Sequence, residues 1–247
     1  MRLDRYLANA GHGSRTEVKE AIRRGLVSVD GQIIRDSGYA VRTDGSQTIS
    51  LAGLAIQLHR QVHVMLNKPA GVVTALDDPR HRTIAELIPV RWQSAGLFPV
   101  GRLDRDATGL LLLTNDGTLC HRLASPRWEV WKTYLVTAEG LPFSESEKPA
   151  FAAGLRLADG QLCRPAELTV LASNQALLTI HEGKFHQVKR MMLSTGRRVT
   201  ALHRLSVGPL LLDKKLAPGE CRELTEQEMR SLYELVELDP DAPPVGG

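Results

Sequence analysis

The sequence predicts an α+β protein in two parts: a small helix-and-hairpin module, then a mixed, mostly antiparallel β-sheet domain with flanking helices. Three observations carry this. The start of the chain holds two helical stripes followed by a hairpin signal. Beyond residue 60 strand-like runs outnumber helical ones without strict alternation, which disfavours a doubly wound parallel sheet. Finally, 247 residues at 43% hydrophobic and 24% charged supply enough apolar matter for one large core or a large one plus a small one.

Leu3, Leu7 and Ala10 fall at helical spacing and predict a short first helix, closed by Gly11-His12-Gly13. Ser14-Arg15-Thr16-Glu17 has the capping-box form and opens a second helix, with Val18, Ala21 and Ile22 on its inner side and Gly25 at its end. Leu26 to Val29 and Gln32 to Ile34 are β-prone runs joined by Asp30-Gly31, a dipeptide that favours the type I′ turn. Residues 43–60 read as an irregular connection with one strand around Ile49 to Leu51, and a domain boundary is expected near residue 60.

The second part, 61–231, begins with the strand-like Val62 to Leu66, broken by the turn at Pro69. Further strands are expected at Leu110 to Leu113, Tyr134 to Thr137, Ala166 to Leu171 and Ala176 to Ile180. Helices are expected at Thr83 to Leu87, Leu119 to Ala124, Glu145 to Ala153 and His186 to Thr195. Residues 232–247 are acidic and end rich in Pro and Gly, which predicts a disordered tail.

Composition excludes several function classes. No apolar stretch approaches the roughly 20 residues of a membrane span, and the first residues mix both charges without an apolar run, so a cytoplasmic protein is expected. Cys120, Cys163 and Cys221 lack Cys-x-x-Cys spacing and predict neither disulfides nor zinc. The net charge of +3 is small, but residues 61–215 carry 20 basic against 14 acidic side chains, whereas residues 216–247 carry 2 against 8. A basic body behind an acidic end suits a polyanionic partner. On the second helix Arg15, Lys19, Arg23 and Arg24 stack cations along one exposed side, either a phosphate-binding face or an ordinary solvated one.

The chemistry concentrates in Gly101-Arg102-Leu103-Asp104-Arg105-Asp106-Ala107-Thr108-Gly109, a polar loop running straight into four leucines. Such a loop can hold a carboxylate rigidly beside a partly dehydrated cleft, and Asp104 is the candidate. Arg102 and Arg105 are expected to favour its ionised form; an ion-paired loop carboxylate without a catalytic role fits the same residues. Asp104 with Asp106 as a glycosidase pair is disfavoured, because two carboxylates in one loop need not flank a bond and FWY is only 4%. His181 and His186 are five apart, off the four-residue spacing that puts two ligands on one helical face, and no metal is expected. No Gly-rich phosphate cradle or Ser nucleophile elbow occurs, so no cofactor is expected.

Two resemblances add to this reading. The opening helices with Val27-Ser28-Val29-Asp30-Gly31 resemble the S4 RNA-binding module. The string Gly101 to Leu110 resembles the GRLDxxxxGL motif of the RNA pseudouridine synthases, in the branch that carries an S4 module in front. Met65 to Gly71, Lys132 to Val136 and Glu182 to Met191 agree with that branch in order and spacing. His186 to Met191 and the ending Leu216 to Glu220 with Leu224-Thr225 are most similar to its members acting on small-subunit ribosomal RNA. Cys221 stands where a tyrosine is common. The resemblance implies isomerisation of uridine to pseudouridine without cofactor or metal, by a monomer acting on ribosomal RNA as naked RNA or an assembly intermediate. It implies Asp104 as nucleophile, Tyr134 stacked on the base, and Lys189 paired with Asp104, Arg190 being the second choice. Arg102 would bind the flipped nucleotide and Leu103 would line the pocket. A large-subunit target, or a non-catalytic grip on ribosomal RNA, fits the same chain.

Overall fold

A computed structural model of the chain describes residues 1–10, 12–42, 46–56, 61–93 and 95–240. The opening stripe folds as expected into α1 (Leu3–Asn9), whose Leu3 and Leu7 are fully buried; Gly11, its expected terminator, lies outside the described residues. Ser14 caps α2 (Arg15–Arg23) through a reciprocal box: Ser14 N–H donates to Glu17 Oε2 at 2.6 Å, and Glu17 N–H to Ser14 Oγ at 3.4 Å. Asp30 and Gly31, at φ 49° and 82°, turn β1 (Val27–Val29) into β2 (Gln32–Ile33) as a type I′ hairpin requires.

The connection that follows holds more order than expected, since β3 (Ile49–Leu51) and β4 (Leu54–Ile56) form a second hairpin through Ala52-Gly53. Ala52 takes a positive φ of 51°, a conformation its side chain does not advertise. The sheet runs β2-β1-β3-β4 over a core of Leu3, Leu7, Val18, Ile22, Val27 and Ile49. Residues 43–45 and 57–60 of the expected linker lie outside the described residues.

The larger part is built from β5 (His63–Lys68), α3 (Val90–Gln93), β6 (Phe98–Pro99), β7 (Thr108–Thr114), α4 (Gly117–Ala124), β8 (Lys132–Gly140) and α5 (Lys148–Ala153). It continues with β9 (Glu167–Ala172), β10 (Gln175–Ile180), α6 (Gln187–Ser194), β11 (Arg197–Val207), β12 (Leu210–Leu211), β13 (Cys221–Glu223) and α7 (Glu226–Leu235). The segment Ile84–Leu87, expected as a helix, is a single tighter 3₁₀ turn. The sheet order is β13-β5-β7-β11-β8-β10-β9, with β6 and β12 pairing β7 and β11. Among the described strand pairings of this sheet only β7 with β11 is parallel. The expected α+β class with a mixed, mostly antiparallel sheet holds.

The four leucines occupy the middle of this sheet. Leu111 and Leu113 face one core with Val64, Leu66, Tyr134 and Val136, while Leu110 and Leu112 face the other with Met65, Leu119, Leu232 and Tyr233. A strand covered on both sides needs apolar residues at every position, which is why the run does not alternate. At its start Gly109 has φ +100°, and a Cβ there would lie 2.4 Å from the Arg204 carbonyl oxygen; only glycine lets β7 reach β11 so closely.

The expected tail needs correction. Leu232, Tyr233 and Val236 are buried against the α4 side of the sheet, so the ordered part runs well past 231; only 241–247 of the expected disordered stretch lie outside the described residues. Tyr233 Oη donates to Asp116 Oδ2 at 2.6 Å and lies 3.3 Å from His63 Nε2, whose Nδ1 meets Thr114 Oγ1 at 2.9 Å. Burial pushes the His63 pKa down to about 4 against the opposing pull of Asp116. Below about pH 6.5 the unfolded chain takes up a proton that the folded one refuses, so stability falls from there towards pH 4, by about 3 kcal/mol in total. Denaturant unfolding at pH 7 and 4.5 should show this loss in the wild type and most of it absent in His63→Gln; equal pH dependence of the two would remove His63 as its source.

Candidate active site

The loop bearing Asp104 is fixed by its own backbone. Lys68, fully buried at the end of β5, donates from Nζ to the carbonyl oxygens of Pro69 (3.1 Å), Asp104 (3.1 Å), Arg105 (3.3 Å) and Ala107 (2.8 Å). Thr74 clamps the same loop, donating to Leu103 O at 2.7 Å and accepting from Leu103 N–H at 3.2 Å, and Gly71 N–H reaches Arg105 O at 2.8 Å. Burial draws the Lys68 pKa down to about 8, opposed by Asp106 and Asp104. Lys68 is therefore a positioning residue that sequence reasoning did not single out; its signals were its place in the Met65 to Gly71 stretch and a lysine closing an apolar strand before Pro69. Lys68→Met leaves four carbonyls without their shared donor, and is expected to cost about 3 kcal/mol of stability with a large loss of turnover. Unfolding and turnover measured together check this, and wild-type values for both would refute it.

Against this loop stands α6. Its Lys189 places Nζ 2.9 Å from Asp104 Oδ2 and 2.6 Å from Asp106 Oδ1. Burial alone would lower the lysine's pKa, but its hydrogen bonds to Asp106 and Asp104 prevail and hold it above the usual value. The same bond from Lys189 holds the Asp106 carboxyl below its ordinary range. His186 Nε2 lies 3.5 Å from Asp104 Oδ1. His186 sits at φ 48° immediately before the helix, and Gln187 braces this bend, its Oε1 accepting from Lys184 N–H at 3.0 Å while its Nε2 donates to buried Glu182.

Two expectations change here. The basic groups beside Asp104 are the Lys189 ammonium and the His186 imidazole, not the sequence neighbours Arg102 and Arg105, whose side chains are exposed. Arg190, the second choice for that role, points elsewhere, pairing with Asp159 at 2.5 Å and donating to Phe185 O at 3.3 Å. One step along a helix turns a side chain through about 100°. His181 and His186 likewise serve different neighbours, as His181 packs on Trp131 with ring centroids 4.4 Å apart.

Tyr134, buried on β8, lines a small pocket with Arg102, Leu103, Asp104, Ala107, Lys189 and Leu202. A larger cleft of about 540 Å³ shares Arg102, Leu103, Asp104 and Tyr134 with it. Asp104, Tyr134, Lys189, Arg102 and Leu103 thus converge from segments far apart in sequence. On the small domain Arg15, Lys19, Arg23 and Arg24 are all exposed on α2 or its end, but Arg23 pairs with Glu20, and Lys19 lies 3.9 Å from Asp4.

Comparison with known proteins agrees with this arrangement. The S4 domain family matches residues 1–46, and the RNA pseudouridylate synthase family matches residues 62–194, which include the whole Asp104 loop and Lys189. The chain belongs to the RNA pseudouridine synthases. It is 43% identical to ribosomal small subunit pseudouridine synthase A of Escherichia coli (strain K12), over 94% of this chain and 100% of that one. It is 41% identical to the RNA pseudouridine synthase YtzG of Bacillus subtilis (strain 168), over 95% and 99%. A crystal structure of a pseudouridylate synthase superposes with a TM-score of 0.68 at 36% identity, covering 94% of this chain and 99% of that chain.

Proposed function

We propose that this pseudouridine synthase modifies a uridine of small-subunit ribosomal RNA, with Asp104 as its nucleophile acting on a base flipped out of the RNA. The observation that carries the catalytic reading is the Asp104–Lys189 pair, at 2.9 Å, on the wall of the pocket lined by Tyr134. The reaction breaks the N1–C1′ bond, turns the uracil and joins C5 to C1′, releasing the C5 proton. It therefore needs an ionised carboxylate, a confined space in which a free base can turn, and a group near the ring. Asp104 supplies the first, whether it attacks the anomeric carbon or the ring. The apolar walls from Leu103, Ile180 and Leu202 supply the second. Tyr134 offers a ring to stack on and a phenol to relay the C5 proton. Arg102 at the mouth holds the backbone of the extruded nucleotide.

The small-subunit target rests on 43% identity along nearly the whole of both chains with a protein named for it. Purified protein incubated with ³H-C5-labelled transcripts of small- and large-subunit ribosomal RNA should release tritium from the former. Release from the large-subunit RNA alone would keep the chemistry and overturn the target; release from neither would overturn the proposal.

The S4-like module supplies further grip. Neutralising Arg15, Lys19 and Arg23 together is expected to weaken RNA binding and flatten its dependence on salt, by about 0.7–0.9 in log–log slope for each phosphate no longer neutralised. Lys19 and Arg23 already face carboxylates, so the change should fall short of that for three phosphates; an unchanged slope would mark the face as merely solvated.

A further inference from the structure

Among the described residues, two buried side-chain nitrogens have no hydrogen-bond partner, Arg204 Nη2 and His181 Nδ1, and both residues line the same cleft beside Asp104. Arg204 lies within β11 and His181 directly follows β10. Strands β10, β8 and β11 are adjacent, with Ile180 opposite Lys132 and Tyr134 opposite Arg204, so the ends of three neighbouring strands bring His181, Lys132 and Arg204 to one wall. Arg204 is only 2% exposed. Its Nε donates to Leu110 O at 2.7 Å and Lys132 Nζ donates to Val130 O at 2.8 Å, but neither side chain has an ion pair among the described residues.

Two desolvated like charges held together without a carboxylate are costly. Burial, and then the charge of Arg204, push the Lys132 pKa down to about 8. The acids of the cleft do not relieve this cost. Asp104 is held by Lys189, Glu182 by Lys184 and Gln187, and Asp78 by His81 and two backbone N–H groups. Glu129, 3.7 Å from His181 Nδ1, also meets Arg164. What the wall lacks is an anion.

We propose that Lys132 and Arg204 form a phosphate subsite that grips the RNA backbone next to the flipped uridine, just beyond Tyr134. The subsite rests on the reading of this cleft as the place where RNA is modified. A phosphodiester offers two oxygens to the guanidinium fork and a charge to the ammonium, satisfying the unpartnered Nη2 and neutralising the pair at once. Its role is positioning: anchoring the adjacent linkage holds the nucleotide out of its stack while Asp104 acts.

The test uses the full-length protein and a fragment of small-subunit ribosomal RNA that it binds. Lys132→Gln should raise KM and the dissociation constant Kd about tenfold with kcat changed little, and lower the salt slope by the amount due to about one phosphate. Arg204→Lys, which keeps the charge but not the fork, should fall between that variant and wild type. An RNA carrying a neutral methylphosphonate at the gripped linkage should weaken wild-type binding by the same factor, and Lys132→Gln should be indifferent to it. An unchanged slope, or equal losses for Lys132→Gln on charged and neutral linkages at every position next to the target, would overturn the subsite. Binding and slope are read without turnover. Wild type that binds with the expected slope yet makes no pseudouridine would overturn the proposed function and leave the subsite standing.

Discussion

Asp104→Asn is expected to abolish pseudouridine formation while leaving RNA binding within a few-fold of wild type. The amide keeps the shape of the side chain but cannot donate an electron pair to carbon as a carboxylate does, and among the described residues no other carboxylate is placed to substitute. Asp106 is the nearest alternative, but its side chain is 73% exposed and turned to Lys189 from the solvent side. Loss of a nucleophile costs about 10⁴-fold or more in kcat. The fold should survive, because the loop is held by Lys68 and Thr74 through main-chain carbonyls rather than through the Asp104 side chain. Single-turnover assays beside filter binding check this; turnover within a hundredfold of wild type would contradict it.

Lys189→Met is expected to lose about 10²–10³-fold in kcat, with a much smaller effect on KM. The lysine touches both Asp104 and Asp106, so its removal leaves two carboxylates facing each other across a partly buried site, with the buried Lys68 ammonium as a remaining cation acting on them. Like charges at that range raise the pKa of at least one partner. The acid limb of the variant's pH–rate profile should therefore move to higher pH, whereas a role in packing alone would lower activity evenly across the profile. Lys189→Arg restores the charge and should recover part of the rate. Because the native Lys189 pKa is held above its usual value, this lysine imposes no alkaline limb below about pH 10.

The difference between Lys189 and Arg190 shows how far the sequence could be read. The basic pair, the loop and the tyrosine were visible as types and spacings, and the structure brings Asp104, Tyr134 and Lys189 into one pocket. Which of two adjacent cations faces the carboxylate depends on the phase of α6, set by the left-handed His186 and the Gln187–Glu182 brace. Nothing in local composition announces that phase.

Arg204 and Arg197 hid a whole strand for a related reason. Both are buried, Arg197 against Glu147 and the carbonyls of Leu141 and Pro142, so β11, in the middle of the sheet, reads as polar and gave no strand signal. The role of Lys68 was hidden for the same cause, since a charge satisfied entirely by carbonyls has no partner that a sequence can display. Leu110 to Leu113 erred in the opposite direction and were easy, because burial on both faces leaves a continuous apolar run. The polar Pro-rich end drew the expected tail boundary too early, although Leu232 and Tyr233 on α7, and Val236 just past its end, pack into one core.

The most direct test of the account is to map pseudouridine along the ribosomal RNA of cells lacking this gene, then restore wild type or Asp104→Asn. The account predicts that one small-subunit position reverts to uridine in the deletion and is modified again only with wild type. An unchanged set of small-subunit pseudouridines in the deletion, or restoration by Asp104→Asn, would contradict it.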